Sequence, residues 1–189
     1  MSSKIFDGLE ICPDDPILQL MQLARQDENP FKVDLSAGVY KDELSQTPVM
    51  NCIKQAEARR LEQESSKTYL GLAGDLRFDD LVTKLALGDS HPAIVEGRAS
   101  TIQTTGGSGA VRLAAELFKK IRRGCNVWVS DPTWANHIPL LKSADNNVHT
   151  YSYYQHGESG VRFAEMMQQL SAAQAGDVVL LQGSCHNPC

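Results

Sequence analysis

Residues 98–131 read RASTIQTTGGSGAVRLAAELFKKIRRGCNVWVSD, and four pieces follow one another in that stretch. Arg98–Gln103 reads as a strand and Thr104–Gly109 as a glycine-rich turn. From Ala110 to Arg123, the residues Val111, Ala114, Ala115, Phe118 and Ile121 recur at helical spacing. Asn126–Ser130 is a second strand. The basic run Lys119, Lys120, Arg122 and Arg123 falls in the last turn of the helix, where cations oppose the negative end of its dipole. It reads as a solvated helix end. Strand, turn, helix and strand make one βαβ unit.

Downstream, the alternation continues. A loop, DPTWANH (131–137), leads into a short helix ending near Ser143, then a strand at 148–154 (VHTYSYY) and a turn at 156–160. Phe163, Met166, Met167 and Leu170 mark an amphipathic helix, and DVVLL (177–181) is again a strand. Alternation of this kind predicts an α/β fold, a mainly parallel sheet flanked by helices. Upstream, Asp15–Pro16 and Thr47–Pro48 each carry the cap-plus-proline signal of a helix start. Ile17, Leu20, Met21 and Ala24 keep helical spacing after the first, and the second opens a helix to about Glu64. Lys32–Val39 reads as extended. Asp75 caps a helix with an apolar stripe of Phe78, Leu81, Val82 and Leu85, and Gly88 stops it.

Composition narrows the function. The 189 residues are 42% hydrophobic and 22% charged, with net charge −5, which suits a globular chain and argues against a nucleic-acid partner. No stretch approaches the roughly 20 apolar residues of a membrane span, and the N-terminus lacks a leader's apolar core. Five scattered cysteines (Cys12, Cys52, Cys125, Cys185, Cys189) suit free thiols, so a cytoplasmic location is expected. Cys185, His186 and Cys189 stand close together, but three ligands on one short loop make a poor zinc site, and no metal is expected.

In parallel sheets, ligands bind outside the carboxyl ends of the strands. Three loops of unusual composition fall there: TTGGSG (104–109), DPTWANH (131–137) and GSCHNPC (183–189). Gly106, Gly107 and Ser108 at a helix start either cradle a phosphate or only shape a tight turn. Ser108 can cap the helix or donate its hydroxyl. Trp134 offers a stacking face or packs under its loop, and His137 is a supporting partner or a surface residue. Asn187, held extended by Pro188, directs an amide donor or closes an Asx turn. Phosphate cup, aromatic plate and amide donor together describe a pocket for a planar phosphorylated heterocycle, of which pyridoxal phosphate is the simplest. A nucleotide-binding domain is the competing reading, though GSGAVR lacks the third glycine of the dinucleotide fingerprint.

Five blocks in register, LSAGVYKDE (35–43), TYLGLAGD (68–75), TIQTTGGSGA (101–110), VWVSDPTWANH (127–137) and AGDVVLLQGSCHNP (175–188), resemble the class I, fold-type I pyridoxal-phosphate aminotransferases of aspartate and aromatic amino acids. PDDPILQL (13–20) resembles that family's intersubunit arm. The resemblance implies an N-terminal arm with a small-domain segment over 1–45 and the first half of the cofactor-binding large domain over 46–189. It implies pyridoxal 5′-phosphate as cofactor, amino-acid and 2-oxo-acid substrates such as 2-oxoglutarate, and a homodimer. Gly107 and Ser108 would hold the phosphate, Trp134 would stack on the ring, and Asn187 would donate to the phenolic oxygen near the substrate carboxylate. Tyr69 would reach the phosphate of the neighbouring subunit, and Gly38 would border the substrate. His137 would support the acid that pairs with the ring nitrogen.

The chain departs from that pattern at three places. Gln182 stands where the family usually has histidine, Ser184 where it often has cysteine, and Cys189 where it continues Thr-Gly. The family's Schiff-base lysine lies beyond Cys189, and none of the nine lysines has its serine-rich context. No catalytic residue is therefore expected within these 189 residues. The reading is an incomplete aminotransferase, inactive by itself, with poor solubility from an unpaired sheet edge.

Overall fold

Proline at the first position of a helix gives up no hydrogen bond, and the first helix, α1 (Pro16–Gln26), begins at one. The computed structural model describes residues 16–36, 38–157 and 159–189; Cys12, the expected cap at Asp15 and the side chain of Ile17 lie outside them. The chain divides into two units between Lys67 and Thr68. In the first, the Lys32 ammonium donates to the carbonyls of Ala24 and Asp27, each at 2.6 Å, and closes the end of α1. The segment after it is not a strand. Asp34 instead accepts from the Ser36 N–H (3.0 Å) and from the Lys41 ammonium (2.9 Å), local bonds that compete with any ladder. Helix α2 (Asn51–Gln63) starts later than Thr47–Pro48 suggests: its N-cap is Met50, without a side-chain bond, and it buries no residue.

The second unit opens on a glycine turn. Gly74, at φ +95°, sits against Gln103, whose Oε1 accepts the Asp75 N–H at 3.0 Å. Asp75 caps α3 (Leu76–Leu87) as expected, accepting from Arg77 and Phe78, and Gly88 ends it at φ +88°. The one-turn α4 (Pro92–Val95) follows. The expected strand at Arg98–Gln103 is absent. Its N–H groups find other acceptors, Arg98 and Ala99 the Ala93 carbonyl of α4 and Gln103 that of Ala73. A strand needs a neighbour at ladder spacing, and no described strand flanks this segment.

Helix α5 (Gly106–Ile121) begins four residues earlier than its apolar spacing predicts, with Thr105 as N-cap. Ser108 therefore lies inside the first turn and does not cap it. Strand β1 (Asn126–Asp131), the short α6 (His137–Lys142), strand β2 (Asn147–Ser152), α7 (Phe163–Leu170) and strand β3 (Val178–Val179) complete the unit. The sheet order is β2-β1-β3, all parallel, with Asn126 opposite Asn147 and Val127 opposite Val178. The last strand is shorter than DVVLL suggests, although Leu180 still donates to the Trp128 carbonyl at 2.8 Å.

One face of β1, Val127 and Val129, is fully buried with Ala115 of α5 and Leu141 of α6. Buried Asn146 ties these layers, donating to the carbonyls of Ala115 (3.1 Å), Leu141 (3.2 Å) and Ala144 (3.4 Å). On the opposite face, Trp128 stacks on His149 and donates to Asp177 at 3.2 Å. The tight Arg122–Cys125 turn reverses the chain between α5 and β1.

Candidate functional site

The carboxyl ends of the three strands are bound to one another by main-chain and side-chain hydrogen bonds. The Asp131 carbonyl accepts the N–H groups of Tyr153 (3.1 Å) and Tyr154 (3.2 Å), and the Tyr151 hydroxyl donates to the Leu180 carbonyl at 3.0 Å. The Ser130 hydroxyl, 2% exposed, meets His186 Nε2 at 2.9 Å, and the His186 ring stacks on Tyr153 with centroids 4.0 Å apart. Burial pushes the His186 imidazole below its ordinary pKa, so it stands neutral here. Its Nδ1 is buried without a partner among the described residues.

Thr133, Trp134 and His137 form the next layer. His137 is 6% exposed; its Nδ1 lies 2.8 Å from the Thr133 hydroxyl, and its ring meets Trp134 edge-on at 5.2 Å. Its N–H donates to the Trp134 carbonyl at 2.9 Å, so the loop closes on itself before α6 starts. Burial first, and the nearby His186 second, lower the His137 pKa. A neutral imidazole in this position can donate a hydrogen bond without adding a charge.

Asn187 is exposed, and its side-chain amide has no partner among the described residues. Its main chain is held instead: its N–H donates to Gln182 Oε1 at 2.9 Å, and its carbonyl accepts from Gln182 Nε2 at 3.2 Å. At the start of α5, Gly106 takes φ +64° and donates to the Thr104 carbonyl at 2.9 Å. The N–H groups of Gly107 and Ser108 have no acceptor among the described residues, which is the ordinary state of a helix's first turn. A Cβ built on Gly107 meets nothing within 4 Å.

The structure thus joins Trp134 to His137 on the loop after β1, and ties the Gln182–Asn187 loop to β1 and to the end of β2 through His186. Ser108 and Gly107 lie on the same unit but touch none of these residues. Tyr69 is fully exposed on that unit, and Gly38 lies in the first unit, its Cβ position open. Ser130, Thr133 and Tyr153 were not singled out by their sequence pattern. The available signal was positional: Ser130 is the last buried residue of β1, and Tyr153 follows the end of β2. His186 draws notice in the sequence only as a metal ligand. Here it faces Ser130 while Cys185 and Cys189 are exposed, and the described residues include no metal-binding cluster.

Residues 30–189 match the family described as aminotransferase class I and II. The chain is 44% identical to the aspartate aminotransferase of Escherichia coli over 184 residues, 97% of this chain and 46% of that protein. It is also 44% identical over 184 residues to a tyrosine aminotransferase of Rhizobium meliloti. Among solved structures, an aromatic-amino-acid aminotransferase from Burkholderia pseudomallei, described as covalently bound to pyridoxal phosphate, superposes with TM-score 0.91 at 36% identity. That match covers 98% of this chain and 47% of the other. The chain spans about half the length of the curated relatives it matches.

Proposed function

The chain belongs to the aminotransferase class I and II family, and on that premise we propose that it forms part of a pyridoxal-phosphate site. The whole protein would exchange an amino group between aspartate or an aromatic amino acid and a 2-oxo acid such as 2-oxoglutarate. When bound, the cofactor supplies the electron sink that makes the amino acid's Cα proton removable. The division into an arm and small-domain segment over 1–45 and a large-domain segment over 46–189 belongs to the same proposal, as do the homodimer and the cytoplasmic location. No helix among the described residues is long and apolar enough to cross a membrane.

The residues fit such a ligand. The free N–H groups of Gly107 and Ser108, with the Ser108 hydroxyl, take a phosphate at the positive end of α5. Trp134, half-buried and braced by His137, lies against a ring face and keeps water from it. The unpartnered amide of Asn187 donates to a phenolic oxygen and borders a substrate carboxylate. Neutral His137 supports an acid that pairs with the ring nitrogen, adding no competing charge. The full exposure of Tyr69 supports its reach to a neighbouring subunit's phosphate, and Gly38 borders the substrate from the segment that closes over it.

Gly107 carries the reading. Its φ lies outside the left-handed region, and a Cβ there meets nothing, so neither turn geometry nor packing within the described residues requires glycine. A ligand approaching the backbone does. The test is Gly107→Val. Unfolding by urea should be essentially unchanged, while pyridoxal-phosphate binding, followed by cofactor absorption, weakens at least tenfold. Retained affinity would refute the phosphate cradle. A larger stabilisation of the chain by ATP or NAD than by pyridoxal phosphate would favour the nucleotide reading.

A further inference from the structure

We infer that Gln182 is a positioning residue for Asn187; the inference rests on the reading of Asn187 as a cofactor donor. One side chain closes both main-chain groups of a residue five positions away. Gln182 Oε1 accepts the Asn187 N–H at 2.9 Å, and Nε2 donates to the Asn187 carbonyl at 3.2 Å. The two bonds bracket the Cα from which the Asn187 side chain leaves the chain. They restrict the backbone dihedrals on both sides of it.

The preceding residue is fixed independently. The His186 ring is held by Ser130 at 2.9 Å and by the stack on Tyr153. The loop therefore has a side-chain anchor at 186 and a main-chain anchor at 187. Meanwhile, the Asn187 amide stays unspent among the described residues and can serve a ligand. This division of labour needs a side chain carrying a donor and an acceptor on one carbon, which is the primary amide of glutamine. A carboxylate offers two acceptors and would face the Asn187 carbonyl with like charge. Gln182 is also one of the three positions at which the sequence departs from the resemblance.

The test uses the 189-residue chain, labelled with 15N, and reads two quantities. One is backbone amide exchange at Asn187, with Leu180, bonded to Trp128 within the sheet, as internal reference. The other is the dissociation constant for pyridoxal phosphate. Gln182→Ala should speed Asn187 exchange about five- to tenfold, the effect of one net hydrogen bond, and leave Leu180 unchanged. It should weaken the cofactor by a similar factor. Gln182→Glu keeps the acceptor and should retain the protection of the Asn187 N–H. Because Gln182 acts through Asn187, adding Gln182→Ala to Asn187→Ala should cost no further affinity. Unchanged Asn187 exchange in Gln182→Ala overturns the anchor. Additive losses in the double variant overturn its action through Asn187. If Gln182→Ala frees the amide but the parent chain binds no pyridoxal phosphate, the reading of the site fails, and the positioning role falls with it.

Discussion

Asn146→Ala should destabilise the second unit by about 2–4 kcal/mol, the cost of losing the amide's hydrogen bonds to two buried carbonyls together with the space it leaves. The amide is 5% exposed and donates to the carbonyls of Ala115, Leu141 and Ala144 at 3.1, 3.2 and 3.4 Å. An NH₂ group has two hydrogens, so the third contact is shared and counts little. The Leu141 carbonyl also accepts from Ala144 and Asn146 N–H groups, which keeps the expected loss off the top of the range. Spread over a chain of this size, the loss lowers the melting temperature by roughly 4–16 °C. Asn146→Asp provides the sharper control. A carboxylate placed among three carbonyls is repelled at neutral pH, so the variant should be at least as unstable as alanine. On acidification its protonated oxygen becomes a donor and the deficit relative to Asn146→Ala should shrink. Urea unfolding followed by far-UV circular dichroism at several pH values measures both. If Asn146→Ala shifts the melting temperature by less than about 2 °C, or the aspartate variant gains nothing over alanine in acid, this account of the α5–α6 junction is wrong.

Burial lowers the pKa of His137 and of His186, and the unfolded chain therefore binds their protons more readily than the folded one. Stability should fall as the pH drops through the ordinary imidazole value of about 6.5 and level off once the folded imidazoles protonate too; a flat urea midpoint across that window would contradict their burial. Gly74→Ala places a Cβ at φ +95° and 2.3 Å from Gln103 Cβ, so unfolding experiments should show a loss of about 2 kcal/mol or more; wild-type stability would show that the Gly71–Gly74 turn gives way at no cost. Borohydride reduction of the chain with pyridoxal phosphate should leave no single stoichiometrically labelled lysine in peptide maps, since none of the nine lysines has the family's catalytic context; one such lysine would overturn the expected inactivity of these residues by themselves.

Local chemistry accounts for the parts of the fold and site that were legible in the sequence. Asp75 caps α3 because an aspartate oxygen reaches the N–H groups two and three residues on, whatever surrounds it. Gly88 stops that helix for an equally local reason. The apolar spacing of α5 and α7 and the β1 and β2 runs likewise reads directly, and with them the parallel α/β class and the two loops that follow β1 and β3. Motif resemblance named Trp134, His137 and Asn187; in the structure the first two meet edge-on, and Asn187 follows the His186 that Ser130 holds.

Tertiary contacts decided the rest. Arg98–Gln103 has strand composition but finds no described neighbouring strand, so its N–H groups turn to Ala93 and Ala73. Ser108 looks like a cap until Thr105 takes the position and α5 winds back to Gly106. His186 stands between two cysteines in CHNPC, yet Ser130 and Tyr153, 56 and 33 positions away, claim its ring. The Gln182 hold on Asn187 is equally invisible in one dimension, because nothing in two polar residues five positions apart says which groups will meet. Caps, stops and periodicities are set by atoms a few residues apart, and these the sequence determines by itself. Which donor meets which acceptor across strands depends on where the chain has been brought, and only the folded arrangement of β1, β2 and the loop after β3 decides that.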